Sequence, residues 1–208
     1  MSRDNILHRV RTALGRSPGD PPSPPPPVRL HIPEVDWETR VASLLARVEA
    51  LAGKACRTTE PAAAVAGLLA GRTAVASNAP FLAECGVTAL PGVRTGIADR
   101  EELRAACASA EVGITAADYA LADTGTLVML SSPREARLVS LLPPAHIAVV
   151  PRERILTGLD ELFSLLPNPA EVSSSMVLIT GPSRTADIEQ ILVRGVHGPG
   201  QIAVVVAG

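Results

Sequence analysis

Short, almost continuously apolar runs separated by amphipathic stretches set the pattern of this chain. Val112–Thr115 (VGIT), Thr126–Leu130 (TLVML) and His146–Val150 (HIAVV) each have the length of a strand, and none alternates polar with apolar. Strands of that kind belong to sheets covered on both faces, as in α/β proteins. Lys54–Thr58, Thr73–Ser77, Ser174–Thr180 and Ile202–Val206 add to about seven strands. Helical stretches lie between them. From Asp36 to Ala52, Asp36 suits the N-cap, Glu38 suits the first turn, and Val41, Leu44, Leu45, Val48 and Leu51 form an apolar stripe that ends at Gly53. Pro61 to Ala70, Pro80 to Cys85 and Asp99 to Ser109 follow, with Pro61 suited to the first helical position. Pro151 to Leu166 predicts a helix with Ile155, Leu159, Leu162 and Leu166 on one side, and Thr185 to about Ile191 predicts a shorter one. The strand–helix–strand run from Lys54 to Ser77 predicts a parallel pair with a right-handed crossover. Such alternation predicts a three-layer α/β/α fold on a mostly parallel open sheet.

The N-terminal end is different in kind. Ser2 to Leu14 predicts a short helix, capped by Ser2, with Ile6, Leu7, Val10 and Leu14 on one face. Gly15 to Val28 (GRSPGDPPSPPPPV) lacks the N–H donors for regular structure and predicts an extended polyproline spacer. A helix this short needs a surface, either its own domain or a partner subunit. The expected organisation is residues 1–28 as helix and linker and residues 29–208 as a single α/β domain, long enough for a substantial core.

Polar residues collect where the central runs end: Thr115 and Asp118, then Asp123, Thr124 and Gly125, then Arg137, Ser140 and His146. An open parallel sheet leaves its ligand crevice outside the carboxyl ends of strands, so a site is expected between Glu111 and Val150. In Asp123–Thr126 a glycine between two hydroxyl residues allows close backbone approach to an anion, but the same pattern describes a plain tight turn capped by Asp123. Thr180 to Glu189 reads as a strand-to-helix turn, with Ser183 and Thr185 as caps and Arg184 as a bidentate clamp for carboxylate or phosphate. Asp187 and Glu189 complement the helix dipole and compete with any anion there. Arg137 offers a second cation. His146 is either a satisfied structural group or a proton-transfer group, and His197, in a loop, is freer to meet a substrate.

Composition narrows the function classes. A net charge of −2 with one Trp, one Tyr and two Phe gives neither a basic footprint nor stacking surfaces for nucleic acid. No apolar run approaches the ~18 residues of a membrane span, and MSRDNILHRVR lacks the apolar core of a signal peptide, so a cytoplasmic protein is expected. Cys56, Cys85 and Cys107 form no CxxC pair, which argues against a disulfide framework or an iron–sulfur or zinc site. The four histidines lack metal-ligand spacing, and the chain is expected to hold no metal or cofactor of its own.

The segments Gly113-Ile114-Thr115, Ala122-Asp123-Thr124-Gly125-Thr126, Ser140-Leu141-Leu142-Pro143 and His146-Ile147 resemble the lactate-utilisation protein C family, also called the LUD-domain family. Thr180-Gly181-Pro182-Ser183-Arg184-Thr185, followed by Gly195-Val196-His197-Gly198-Pro199, resembles its second signature. The family usually has Glu where this chain has Asp123, which leaves open any role needing the longer arm. The resemblance implies the fold class of ribose-5-phosphate isomerase, glucosamine-6-phosphate deaminase and CoA transferases. It also implies an accessory component of a three-protein system oxidising L-lactate to pyruvate, whose two companion proteins carry the iron–sulfur clusters. On that reading the chain binds a small carboxylate or anionic cofactor. Asp123 and His146 are its expected proton-transfer groups. Thr115, Thr124, Gly125 and Thr126, with Arg137, Ser183, Arg184, Thr185 and His197, form the expected ligand-holding set. Two alternatives stay open: a free-standing enzyme on a phosphorylated or CoA-linked acid, and a structural or regulatory partner docking through Ser2–Leu14.

Overall fold

Ser2 and Asp36 each start a helix by accepting a hydrogen bond from a backbone N–H three residues on, that of Asn5 and that of Thr39. The computed structural model describes residues 2–17, 19–21, 30–186 and 192–208, with residues 185–186 and 192–194 described by their backbone. It shows α1 at Arg3–Ala13, α2 at Trp37–Ala50, β1 at Lys54–Thr58, α3 at Pro61–Leu69, β2 at Ala74–Ala76 and α4 at Pro80–Glu84. There follow β3 at Val93–Arg94, α5 at Arg100–Ser109, β4 at Val112–Ala116, β5 at Tyr119–Leu121 and β6 at Thr126–Leu130. The rest of the chain forms β7 at Ala145–Pro151, β8 at Ile155–Leu156, α6 at Leu159–Leu165, α7 at Pro169–Val172, β9 at Met176–Ile179, β10 at Arg184–Ala186, β11 at Leu192–Arg194 and β12 at Gln201–Ala207.

Six strands form an all-parallel sheet in the order β1-β12-β7-β4-β2-β3. Helices cover both faces, as the apolar strands predict. Val65 and Leu69 of α3 and Leu82 of α4 pack on one face, against Ile114, Ile147 and Val205. On the other face Val41, Leu44 and Val48 of α2 meet Ala148, Val150 and Val204, while Ala106 and Cys107 of α5 meet Val75. Each fully buried Val, Leu or Ile among these stabilises the fold by about 1.5–3 kcal/mol. A second sheet, in the order β8-β5-β6-β9, shares the α2 layer through Leu127 and Met129 and packs its reverse side on Leu162 of α6. Among the described residues no helix is long and apolar enough to cross a membrane.

Several expectations are corrected. β1 pairs with β12 rather than with β2, because the long apolar β12 and β7 take the central positions and β1, carrying Lys54 and Arg57, takes an edge. β6 leaves the parallel sheet and runs antiparallel between β5 and β9. Pro151–Leu166 is not one helix: Ile155 and Leu156 extend to pair with Ala120 and Leu121, and the helix starts only after Gly158. The backbone of residues 184–186 pairs antiparallel with 192–194, so no helix begins at Thr185, and residues 187–191, which include Asp187 and Glu189, lie outside the described residues. Residues 18 and 22–29 of the proline-rich stretch also lie outside them. Helix α1 buries none of its residues, and Ile6, Val10 and Leu14 are 49%, 49% and 64% exposed, so docking on its own domain is not seen.

One polar pair sits inside the core. His146 on β7 is 1% exposed, and its Nε2 lies 2.8 Å from the Thr115 hydroxyl on neighbouring β4. Its Nδ1 has no hydrogen-bond partner among the described residues. Burial first, and the nearby Arg137 charge second, push the imidazole down to about 3, so the ring is neutral at neutral pH. Beside it, a Cβ on Gly113 would overlap the Val139 carbonyl and press on Pro143, so the turn Arg137–Ser140 lies directly on β4.

Gly113→Ala is expected to destabilise the protein by about 1–3 kcal/mol, since the backbone turn must move for the methyl to fit; thermal unfolding measures this as a fall of several degrees. Removing residues 1–28 is expected to leave the melting temperature unchanged within about a degree, because α1 contributes no buried surface to the domain.

Candidate functional site

The two signature segments meet over the C-terminal end of α2. The β5–β6 hairpin turns at Asp123–Gly125, where Gly125 has φ of 71°. A Cβ there would come within 2.8 Å of the Arg47 Cβ and 3.0 Å of the Val48 N, so only glycine both adopts this conformation and lets the turn seat on the helix. β6 pairs with β9, which brings Thr180 beside Thr126 with their hydroxyls 2.7 Å apart. Thr126 donates onward to Thr124 at 2.8 Å, and Thr124 to the Asp123 carboxylate at 3.1 Å. A line of hydroxyls therefore runs from Thr180 to Asp123. Past Thr180, Gly181 seats against Leu51, and the Arg184 guanidinium donates to the Leu51 carbonyl, the C-cap of α2. A cation is favourable there because the last carbonyls of a helix are unpaired and partially negative.

A cavity of about 410 Å³ opens at this junction, and its polar walls are Arg137, Ser140, Thr180, Ser183, Arg184 and His197. Arg137 donates to the Ser140 hydroxyl at 2.7 Å, and burial pulls its pKa down from the usual arginine value. Among the described residues that line the cavity there is no carboxylate. Two guanidinium groups with no carboxylate among the described lining residues suit an anion. Its place corrects an expectation: Ser140 precedes β7 and Gly198 and Pro199 precede β12, so the cavity lies at the amino ends of these parallel strands rather than at their carboxyl ends.

Not every expected residue gathers here. Thr115 and His146 contact each other inside the sheet, below the surface. Asp123 faces a separate hollow of about 370 Å³ with His31, Thr157, Gly158 and Asp160, and shares no cavity with His146. The two therefore do not form one proton-transfer pair. Thr124, Gly125 and Thr126 line the hairpin turn and reach the cavity through Thr180. Ser183 is not a helix cap; its N–H donates to the Pro199 carbonyl at 2.9 Å and its carbonyl accepts from the Gly195 N–H at 3.0 Å. Thr185 lies on β10, and its side chain is outside the described residues.

Residues that sequence reasoning did not single out occupy the carboxyl ends. Arg134 and Glu135 belong to the loop after β6 and, with Asp118 and Arg154, surround a further crevice, while Ser77, which follows β2, lies behind it and donates to Glu135. A serine directly after a strand was the available signal for Ser77. Nothing local marks Glu135.

The sequence pattern of the LUD domain matches residues 37–207. Lactate utilization protein C of Bacillus subtilis (strain 168) is 45% identical over 94 residues, covering 43% of this chain and 39% of that protein. Lactate utilization protein C of Geobacillus kaustophilus (strain HTA426) is 34% identical over 151 residues, covering 65% of this chain and 62% of that protein. The chain thus spans less than two thirds of the length of either relative. In fold it is similar to the crystal structure of a DUF162 family protein from Deinococcus radiodurans, with a TM-score of 0.65 over 84% of this chain and 100% of that one, at 20% identity. Both signature segments fall within the matched span, and the chain belongs to the LUD domain family.

Proposed function

We propose that this chain is a component of L-lactate utilisation, working with iron–sulfur partner proteins that oxidise L-lactate to pyruvate, and that it binds a small carboxylate or an anionic cofactor. Its relatives' names supply the pathway. One observation carries the binding: Arg137 and Arg184 face a single cavity built by both signature segments, with no carboxylate among the described lining residues. A charge-assisted hydrogen bond to an anion is worth about 1.5–3 kcal/mol each, and a guanidinium fork offers two in parallel.

Arg184 spends one donor on the Leu51 carbonyl, so its position is set by α2 before any ligand arrives. That preorganisation favours binding, since less side-chain freedom is lost. In this reading the hydroxyl line from Thr180 to Asp123 links the cavity to a carboxylate that can accept or return a proton. His146 holds β4 and β7 in register as a neutral group and takes no proton near neutral pH. The exposed apolar face of α1 favours one addition, docking of that helix on a partner subunit.

Lactate-dependent electron transfer by the purified protein set, with folded and assembled variants, tests this. Arg184→Ala is expected to lower activity at least ~100-fold, about 2.7 kcal/mol of transition-state stabilisation, and Arg184→Lys to fall between because it keeps the charge without the fork. Unchanged activity in Arg184→Ala would sink the binding role and leave Arg184 as a helix cap. Thr126→Val, which removes the central hydroxyl and keeps the shape, is expected to lower turnover about tenfold with little change in KM. Equal loss in both parameters, or none, would remove the proton line from the mechanism.

A further inference from the structure

Within the six-stranded sheet the strand order turns back at one place. β2 leads to β3 on one side, while its neighbour β4 leads on to β7 on the other. Loops leaving the carboxyl ends of two such strands part in opposite directions and leave a crevice between them. Here the crevice measures about 450 Å³. Its walls are Ala116–Asp118 after β4, Pro80 and Phe81 of α4, Arg134 and Glu135 of the loop after β6, and Arg154 after β7. It lies at the opposite end of the sheet from the cavity of the signature segments.

Glu135 is the buried group of this crevice, 8% exposed. The Ser77 hydroxyl donates to its Oε2 at 2.8 Å, and its Oε1 is buried with no hydrogen-bond partner among the described residues. Burial raises the carboxyl to about 8, against the opposing effects of the Ser77 hydroxyl and, more weakly, the Ala116 N–H, and the Asp118 charge raises it further. That shift favours the neutral acid at neutral pH. With Oε2 accepting from Ser77, the neutral form carries its proton on Oε1, a donor without an acceptor among the described residues. Native structures leave few such groups unpaired, and one that lines a crevice points to a missing oxygen. The terminal torsion of a glutamate is broad, so a small turn of the carboxyl group presents it to the crevice.

The charges around it define what supplies that oxygen. Arg134 and Arg154 are exposed at the crevice, and Arg154 is held in place by donating to the Tyr119 hydroxyl at 3.1 Å with its guanidinium 5.2 Å from the ring centre. Asp118 is already engaged, its Oδ2 accepting from the Leu130 N–H at 2.7 Å. We propose that this crevice is a second ligand site, taking a small organic acid whose carboxylate is held by Arg134 and Arg154 and one of whose oxygens accepts a hydrogen bond from Glu135. The site goes beyond the lactate-system reading and does not depend on it.

Binding of pyruvate, used as the probe, to the full chain by isothermal titration calorimetry at pH 7 and pH 9 tests the proposal. The wild type is expected to bind roughly tenfold more weakly at pH 9, following the loss of the neutral acid. Glu135→Gln, which stays neutral and keeps a donor, is expected to bind alike at both pH values; this separates the Glu135 proton from the other charged groups facing it, Asp118, Glu84, Arg134 and Arg154. Arg134→Ala is expected to weaken this binding about tenfold at either pH, and in the Arg184→Ala background, where the signature cavity is disabled, a binding event with the same pH dependence is expected to remain. No measurable binding, an equal loss at pH 9 in Glu135→Gln, or binding abolished by Arg184→Ala would overturn the proposal. The last outcome would place the acid in the signature cavity instead.

Discussion

The rest of the structure depends on how the C-terminal end of α2 is gripped. Its last carbonyls need partners, and Arg184 reaches across from a segment far along the chain to supply one. Two glycine turns press on the same end, Gly125 against Arg47 and Val48, and Gly181 against Leu51. Because both turns rest on one rigid helix, Thr126 and Thr180 come within hydrogen-bond reach. The helix is fixed at its other end as well. Asp36 caps it, and Arg40 pairs with Glu161 at 3.0 Å, where Glu161 also accepts from the Thr157 N–H at 2.7 Å and hydroxyl at 2.8 Å. The pair is about one fifth exposed, so water screens it only in part.

What the sequence made legible follows the range of the interaction that decides it. Caps and stripes act over one helical turn, and the helix at Trp37–Ala50 and the strand at Lys54–Thr58 fall where Asp36, Gly53 and the apolar runs place them. Strand order is a long-range outcome, and nothing in Lys54–Ser77 shows that β12, β7 and β4 come to lie between β1 and β2. The segment after Thr180 has the hydroxyls and acidic residues of a helix start, yet residues 184–186 pair with 192–194 instead. Pairing across the hairpin outweighs a weak local preference. The candidate site divides the same way. Arg137, Ser183, Arg184 and His197 were visible as residues, and the structure gathers them. The covered strand that begins at His146 was visible as well, whereas burial of Glu135 was not, because it depends on what packs over its loop.

The two ends of the parallel sheet differ electrostatically. At the amino ends, cations gather without a described carboxylate beside them. At the carboxyl ends, two arginines share a crevice with Asp118, Glu84 and the Glu135 carboxyl, which burial pushes up to about 8. Between them, Thr115 and His146 form a neutral polar contact within an otherwise apolar sheet. Each charge state is set by solvent exclusion as much as by neighbouring charge.

The placement of β1 and β3 at the outside of the sheet governs how copies of this chain meet. An open edge offers unpaired backbone groups to any second chain, and long apolar edges lead to aggregation. Neither edge here is of that kind. β3 is two residues long, and β1 carries Lys54 and Arg57, the latter donating to the Gly208 carbonyl and to Glu38, both at 2.7 Å, beneath the Trp37 ring. The most aggregation-prone strands, β7 and β12, are paired on both sides. Strand addition at either edge of the six-stranded sheet is thereby disfavoured, and the edge left to a second chain is β9 of the smaller sheet, where Leu178 is exposed.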